Sequence, residues 1–147
     1  MDRKPIEIEE IPGPGIEACD LLDVEGRRFI HVKKSSRQSS ILSHFFKQSK
    51  HAAQMLRKYE PFKIKLIESV RAHYGTAKAT VLANALDDGK RWIVEFQIAD
   101  FPRPNGAHNI PFFSKLSLQD EASDIQAMQF DVQVRFIKLQ RIKQAAP

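Results

Sequence analysis

Asp20, His31 and Lys33 are an acid, an imidazole and an amine set in two short apolar runs, Ala18–Val24 and Phe29–Val32. The Glu25-Gly26 dipeptide between the runs predicts a two-residue hairpin turn. Such a turn pairs Val24 with Arg27 and places Asp20 directly opposite His31. Side chains two residues apart on a strand share a face, so His31 and Lys33 project together. One side of the hairpin then presents Asp20, His31 and Lys33, a set able to bind a divalent cation and a phosphate. Each residue also has a plainer reading. Asp20 is expensive to bury unpaired, and an ion pair to Lys33 relieves that cost as well as a metal does. His31 is either an interior histidine bonded to a backbone carbonyl or a neutral metal ligand, and imidazole suits Mn, Fe, Co, Ni or Zn better than Mg. Lys33 is either a snorkelling strand end or a cation for charge developing on a phosphate. Glu17, three residues before Asp20, is expected on the opposite strand face unless a bulge intervenes.

The residues that follow are candidates for contacting a phosphate chain: Lys34, Arg37, Ser39, Ser40, His44 and Lys47. Ser39 or Ser40 is expected to cap a helix, and a helix N-terminus beside Lys33 offers free amides to a phosphate. Residues 1–25 are acidic, while residues 27–65 are basic, and Arg135, Lys138, Arg141 and Lys143 form a second basic cluster. The formal charge is +5 and the pI about 9.4. That balance suits DNA or RNA without establishing either, since charge runs are also ordinary solvated surface.

Other chemistries find little support. The single cysteine, Cys19, excludes an internal disulfide and an all-cysteine zinc site. No nucleophile elbow, glycine-rich phosphate loop or Cys/His zinc spacing occurs. No apolar run is long enough to span a bilayer, and the charged N-terminus is unlike a signal peptide, so a cytoplasmic protein without a membrane is expected. Whether it forms a homo-oligomer stays open.

The elements that must hold these residues can be read from periodicity. Ile6–Ile11 alternates like an edge strand and Pro12-Gly-Pro-Gly15 is a turn. The hairpin follows. Residues 40–58 carry an apolar stripe at helical spacing, with His44, Lys47, His51 and Gln54 on the polar side. A second helix is expected from Pro61 to about Tyr74, ended by Gly75. Residues 79–86 suit helix or strand. Asp87-Asp-Gly89 is a turn and Trp92–Ala99 a strand. Residues 101–111 are a proline-rich loop whose His108 could overlie the site. Ser117 through Asp120 look like the capped start of a helix reaching Met128. Asp131–Leu139 is a final strand. Twenty-odd residues containing a helix suit a crossover, so Trp92–Ala99 and Asp131–Leu139 are expected to be parallel neighbours. The fold class is α/β, a mixed β-sheet flanked by helices, in one domain over 1–147 or a fragment of a longer protein.

This hairpin resembles the PD-(D/E)xK nuclease superfamily, in which an Asp near the start of one strand and an acid-x-Lys on the next hold a catalytic metal. Asp20 matches the first position and Lys33 the last, while His31 stands where the acid usually is. The resemblance implies a restriction-endonuclease-like core and metal-dependent phosphodiester hydrolysis with Mn or Mg. Asp20 and His31 would be ligands and Lys33 would stabilise the transition state. It leaves open a nucleic-acid-binding or protein-interaction module that keeps the fold without hydrolysis. Ile16–Leu22, Phe29–Lys33, Ser39–Phe46 and Ile110–Lys115 also look like the C-terminal part of a sporadically distributed, uncharacterised bacterial family. Its members are longer, and the His-Val-Lys form recurs among them. That resemblance implies a phage-defence or mobile-element setting and no known activity.

Overall fold

The computed structural model describes residues 5–8, 16–101 and 109–140. Within them the strands are β1 (Ile6–Glu7), β2 (Leu21–Asp23), β3 (Arg28–Lys34), β4 (Trp92–Asp100) and β5 (Phe130–Lys138). The helices are α1 (Ser39–Lys58), α2 (Glu60–Tyr74), α3 (Thr76–Asp87) and α4 (Phe112–Ala127). The result is a mixed α/β fold whose five strands form one sheet in chain order, β1-β2-β3-β4-β5. β1, β2 and β3 are antiparallel, and β4 and β5 continue the sheet parallel to β3.

The expected parallel pairing is present, with Trp92 opposite Phe130 and Asp100 opposite Lys138. α1, α2 and α3 connect β3 to β4, and α4 connects β4 to β5, as parallel neighbours require. The helices cover the sheet face bearing Trp92, Val94, Phe96 and Ile98. Phe45 and Phe46 of α1 meet the Phe96 ring edge to face at 5.6 and 5.1 Å. Trp92 Nε1 donates to the Ala85 carbonyl of α3 at 3.0 Å. α4 lies alongside α1 in the same direction, tied by Ser43–Ser117 at 2.8 Å and Lys50–Glu121 at 2.7 Å. Phe62, Leu66 and Val70 of α2 enter the same core.

The hairpin register is the expected one: Leu21 faces Ile30 and Asp23 faces Arg28. Arg27 N–H donates to Val24 O at 3.2 Å, closing the turn around Glu25-Gly26. The left-handed residue there is Arg27, at φ 54°, and not the glycine. Gly26 is required for space instead. Its N–H donates to Asp23 Oδ1 at 2.9 Å, and a Cβ would stand 2.2 Å from Asp23 Oδ2.

Several boundaries differ from expectation. β1 ends at Glu7, and the rest of Ile6–Ile11 with the Pro12–Gly15 turn lies outside the described residues, as does His108. Residues 79–86 are helical because Ala79, Leu82 and Ala85 all reach the core. Ser39 and Ser40 are the first turn of α1, not its cap; Gln38 holds the cap position with no side-chain bond. α4 starts at Phe112, so the Ser117–Asp120 cap signal falls inside a helix. There Ser117 bonds Ser43 of α1, and tertiary packing has overridden the local signal.

Candidate functional site

β2 stops at Leu21 because the chain bends at Asp20. Asp20 N–H donates to Ile30 O at 2.9 Å, and Asp20 O accepts from Ile8 N–H at 3.2 Å. Its Oδ2 accepts from Val32 N–H at 2.7 Å. The Asp20 amide therefore bonds the neighbour of its expected partner His31, as at a bulge, and its carboxylate caps the open backbone of β3. The partner of Asp20 is the Val32 amide, not the Lys33 ammonium.

Asp20, His31 and Lys33 nevertheless line one cavity of about 520 Å³. Its other walls are Ile16, Glu17, Val32 and the α1 residues His44, Phe45, Gln48, Ser49 and His51. Helical geometry explains the second wall, since positions 44, 48 and 51 repeat on one face. The sequence pattern had placed Glu17 on the other strand face. The bends at Ala18 and Asp20 break the strand's alternation and bring Glu17 to the cavity. His51, Gln48 and Glu17 had not been expected at the site; an α1 stripe through His44 at spacings of four and seven was the available signal.

His31 is 7% exposed and packs at 6.1 Å from the Phe96 ring. Burial pushes its pKa down to about 4, so the ring is neutral at neutral pH. Neutral imidazole is the ligand form, and protonation competes with a metal only near that low pH. Lys33 and His44 are exposed. Buried Cys19 has its thiol pushed well up by desolvation and sits as a small apolar side chain.

The remaining candidates divide by position. Lys34 is on the other sheet face, beside Ala99, with its ammonium 5.9 Å from the Phe101 centroid. Arg37 and Ser40 are exposed at the entry to α1, and Ser39 is half-buried there, with its carbonyl accepting from Ser114. Lys47 is exposed one turn along α1 from His44 and does not line the cavity. Of the residues expected to contact nucleic acid, His44 alone lines the cavity.

A divalent cation can be tested against this donor set. Among the described residues no group of three or more His, Cys, Asp or Glu side chains is arranged to hold a metal ion. The expected ligands are one carboxylate, already bonded through Oδ2, and one neutral imidazole; Glu17, His44 and His51 line the same cavity without joining them in a group of three. That set falls short of the three protein ligands of a catalytic zinc site. It fits a weakly held, largely hydrated ion tolerant of nitrogen.

The sheet also carries a polar cluster that the spacing did not reveal. On the face away from the helices, Arg28 bonds Asp23 at 2.8 Å and Glu95 at 2.9 Å. Glu95 is fully buried in β4 and also accepts from Gln97 at 2.6 Å. These carboxylates are paired within the fold, which gives the cluster a structural role.

Among the described residues no helix is long and apolar enough to cross a membrane. No curated protein and no solved structure matches the chain. One family, described as a family of unknown function (DUF6119), matches residues 1–138. The chain belongs to that family.

Proposed function

We propose that this domain is a nuclease-like nucleic-acid-processing module whose phosphodiester site is the cavity between β3 and α1. The observation that carries the reading is the convergence of Asp20, His31 and Lys33 on that one cavity. The antiparallel β1–β3 segment, followed by helices and a strand parallel to β3, supports a restriction-endonuclease-like core. Asp20 and His31 would hold the cation, Mn in preference to Mg. When bound, the ion would polarise a phosphoryl oxygen and make water more acidic. The Lys33 ammonium would face the charge that builds on the nonbridging oxygens. His44 and His51 stand on the facing wall, where an imidazole could pass a proton to a leaving oxygen. A setting in phage defence or mobile elements belongs to the same proposal.

A second reading is a module that binds a phosphate chain without cleaving it. The bond from Val32 N–H to Asp20 favours it, because that carboxylate already has a structural partner.

Calorimetry with Mn and Mg, together with cleavage of single-stranded DNA, double-stranded DNA and RNA, separates the two. Hydrolysis requires metal heat with the wild type, tighter for Mn, and cleavage that Lys33→Ala abolishes while the fold is kept. His31→Glu restores the acid-x-Lys form and raises Mg-supported cleavage. No metal heat and no cleavage by either protein would remove the hydrolytic reading, and salt-sensitive binding alone would establish the second.

A further inference from the structure

We propose that β5 pairs with β5 of a second copy of this chain, joining two sheets edge to edge about a twofold axis at Gln133. The inference is independent of the nuclease reading. β5 is nine residues long, ends the sheet, and among the described residues pairs only with β4. It contains no proline or glycine, and its one lysine is its last residue. Long regular edges of this kind are templates for strand addition, and monomeric proteins usually blunt them.

The sequence of the edge identifies the occupant. Phe130-Asp131-Val132-Gln133-Val134-Arg135-Phe136 reads the same in chemical type from either end, except that Asp131 is matched by its opposite charge, Arg135. Antiparallel pairing about Gln133 sets Phe130 opposite Phe136, Asp131 opposite Arg135 and Val132 opposite Val134, each twice. Like meets like in the apolar pairs, and unlike charges meet in the polar ones, the combination that stabilises cross-strand pairs.

Backbone geometry permits this register. Leu139 N–H donates inward to Asp100 O of β4 at 2.8 Å. Alternation then turns the N–H and C=O groups of Val132 and Val134 to the edge that no described strand pairs with. Val132 and Val134 of the two copies can exchange both bonds, and Gln133 faces its own copy in a non-hydrogen-bonded position. A register shifted by one residue would oppose inward-facing amides to outward-facing ones. A shift of the axis to Val134 keeps the hydrogen bonds but sets Asp131 opposite Ile137 and loses both charge pairs. The side chains are accessible, although each charge also has a partner in its own chain: Asp131, 60% exposed, bonds Arg91 at 3.0 Å, Arg135, 54% exposed, stands 3.8 Å from Glu95, and Val134 and Phe136 are 37% and 36% exposed. An axis perpendicular to the sheet keeps both helical layers on one face. It also leaves the two candidate cavities, beside β2 and β3 at the other side of the sheet, clear of the joint.

The test uses the whole chain. Sedimentation at micromolar concentration should give a dimer, twice the 16.8 kDa chain mass. Gln133→Cys should cross-link two chains under mild oxidation, because facing Cα atoms at a non-hydrogen-bonded site stand about 4.5 Å apart, within disulfide reach. The native Cys19 is buried and does not compete. Val134→Pro deletes an N–H that β4 does not use, so the fold should persist while the dimer is lost. Asp131→Arg and Arg135→Asp should each sediment as monomers, and an equal mixture of the two should recover a heterodimer. A wild type that stays monomeric, a folded Gln133→Cys that does not cross-link, or a mixture that does not associate would overturn the proposal. An edge covered instead by this chain's own C-terminal residues or by another protein's strand would show as the first of these.

Discussion

Asp20 Oδ2 lies 2.7 Å from the Val32 amide, and this bond leaves Oδ1 for an added partner. Beside it, His31 is held neutral by burial, with a pKa near 4. The consequence for stability has a definite sign. The unfolded chain takes up a proton at His31 below about pH 6.5, while the folded chain resists until about pH 4. Stability from this group is complete above the unfolded value and falls as pH drops from 6.5 toward 4. The slope approaches 1.4 kcal/mol per pH unit and the total about 3 kcal/mol. Urea midpoints across that range should show the decline, and His31→Phe should flatten it. An equal slope in both proteins would place the loss elsewhere. At the same site, Lys33→Ala should remove any cleavage without changing the unfolding free energy by more than about 0.5 kcal/mol, because the side chain is exposed.

The β2–β3 hairpin owes its register to a small turn with one sterically demanding contact. Asp23 accepts from Gly26 N–H and from Arg28, whose guanidinium continues to buried Glu95. Any Cβ at Gly26 collides with a carboxylate that Arg28 already pins. Gly26→Ala should therefore break the Asp23 cap and disturb a largely buried ion network, costing about 1–3 kcal/mol in urea unfolding. An unchanged midpoint would mean that Asp23 relaxes freely. If the turn shifts, Asp20 and His31 shift with it, so on the proposed function the same variant should weaken the metal heat seen with the wild type. Along α1, the helical repeat places His44, Gln48 and His51 on the cavity while Ser43 and Lys50 hold α4. One helix thereby walls the site and locks the core.

Across the whole molecule, the charge of +5 is spread over several elements and not concentrated in the cavity. On the proposed function, affinity for nucleic acid should therefore fall steeply with salt. Lys33→Ala should reduce the slope of log K against log salt by no more than about 1, the share of one phosphate contact. A slope near zero in the wild type would remove nucleic acid as the partner. Dimerisation through β5 would double the basic surface presented to one chain, and the slope should fall when Val134→Pro separates the copies.

The hairpin register, the parallel β4–β5 pair and the helical span of α2 were legible in the sequence because each follows from local geometry. A two-residue turn sets strand pairing, alternation sets faces, and proline and glycine bound a helix. Asp20, His31 and Lys33 could be brought to one place on those grounds alone. Tertiary structure decided what local patterns do not encode. The bend at Asp20 exists because Val32 offers an amide across the hairpin, and it carries Glu17 into the cavity against strand alternation. Ser117 resembles a cap in isolation but meets Ser43 in the fold, and nothing in the spacing marks Glu95 as buried against Arg28. His31 titrates low because Phe96 and its neighbours exclude water, an effect of burial that has no signature in spacing. The self-complementary residues 130–136 were present in the chain throughout; their meaning depended on β5 being an edge, which only the order of strands in the sheet determines.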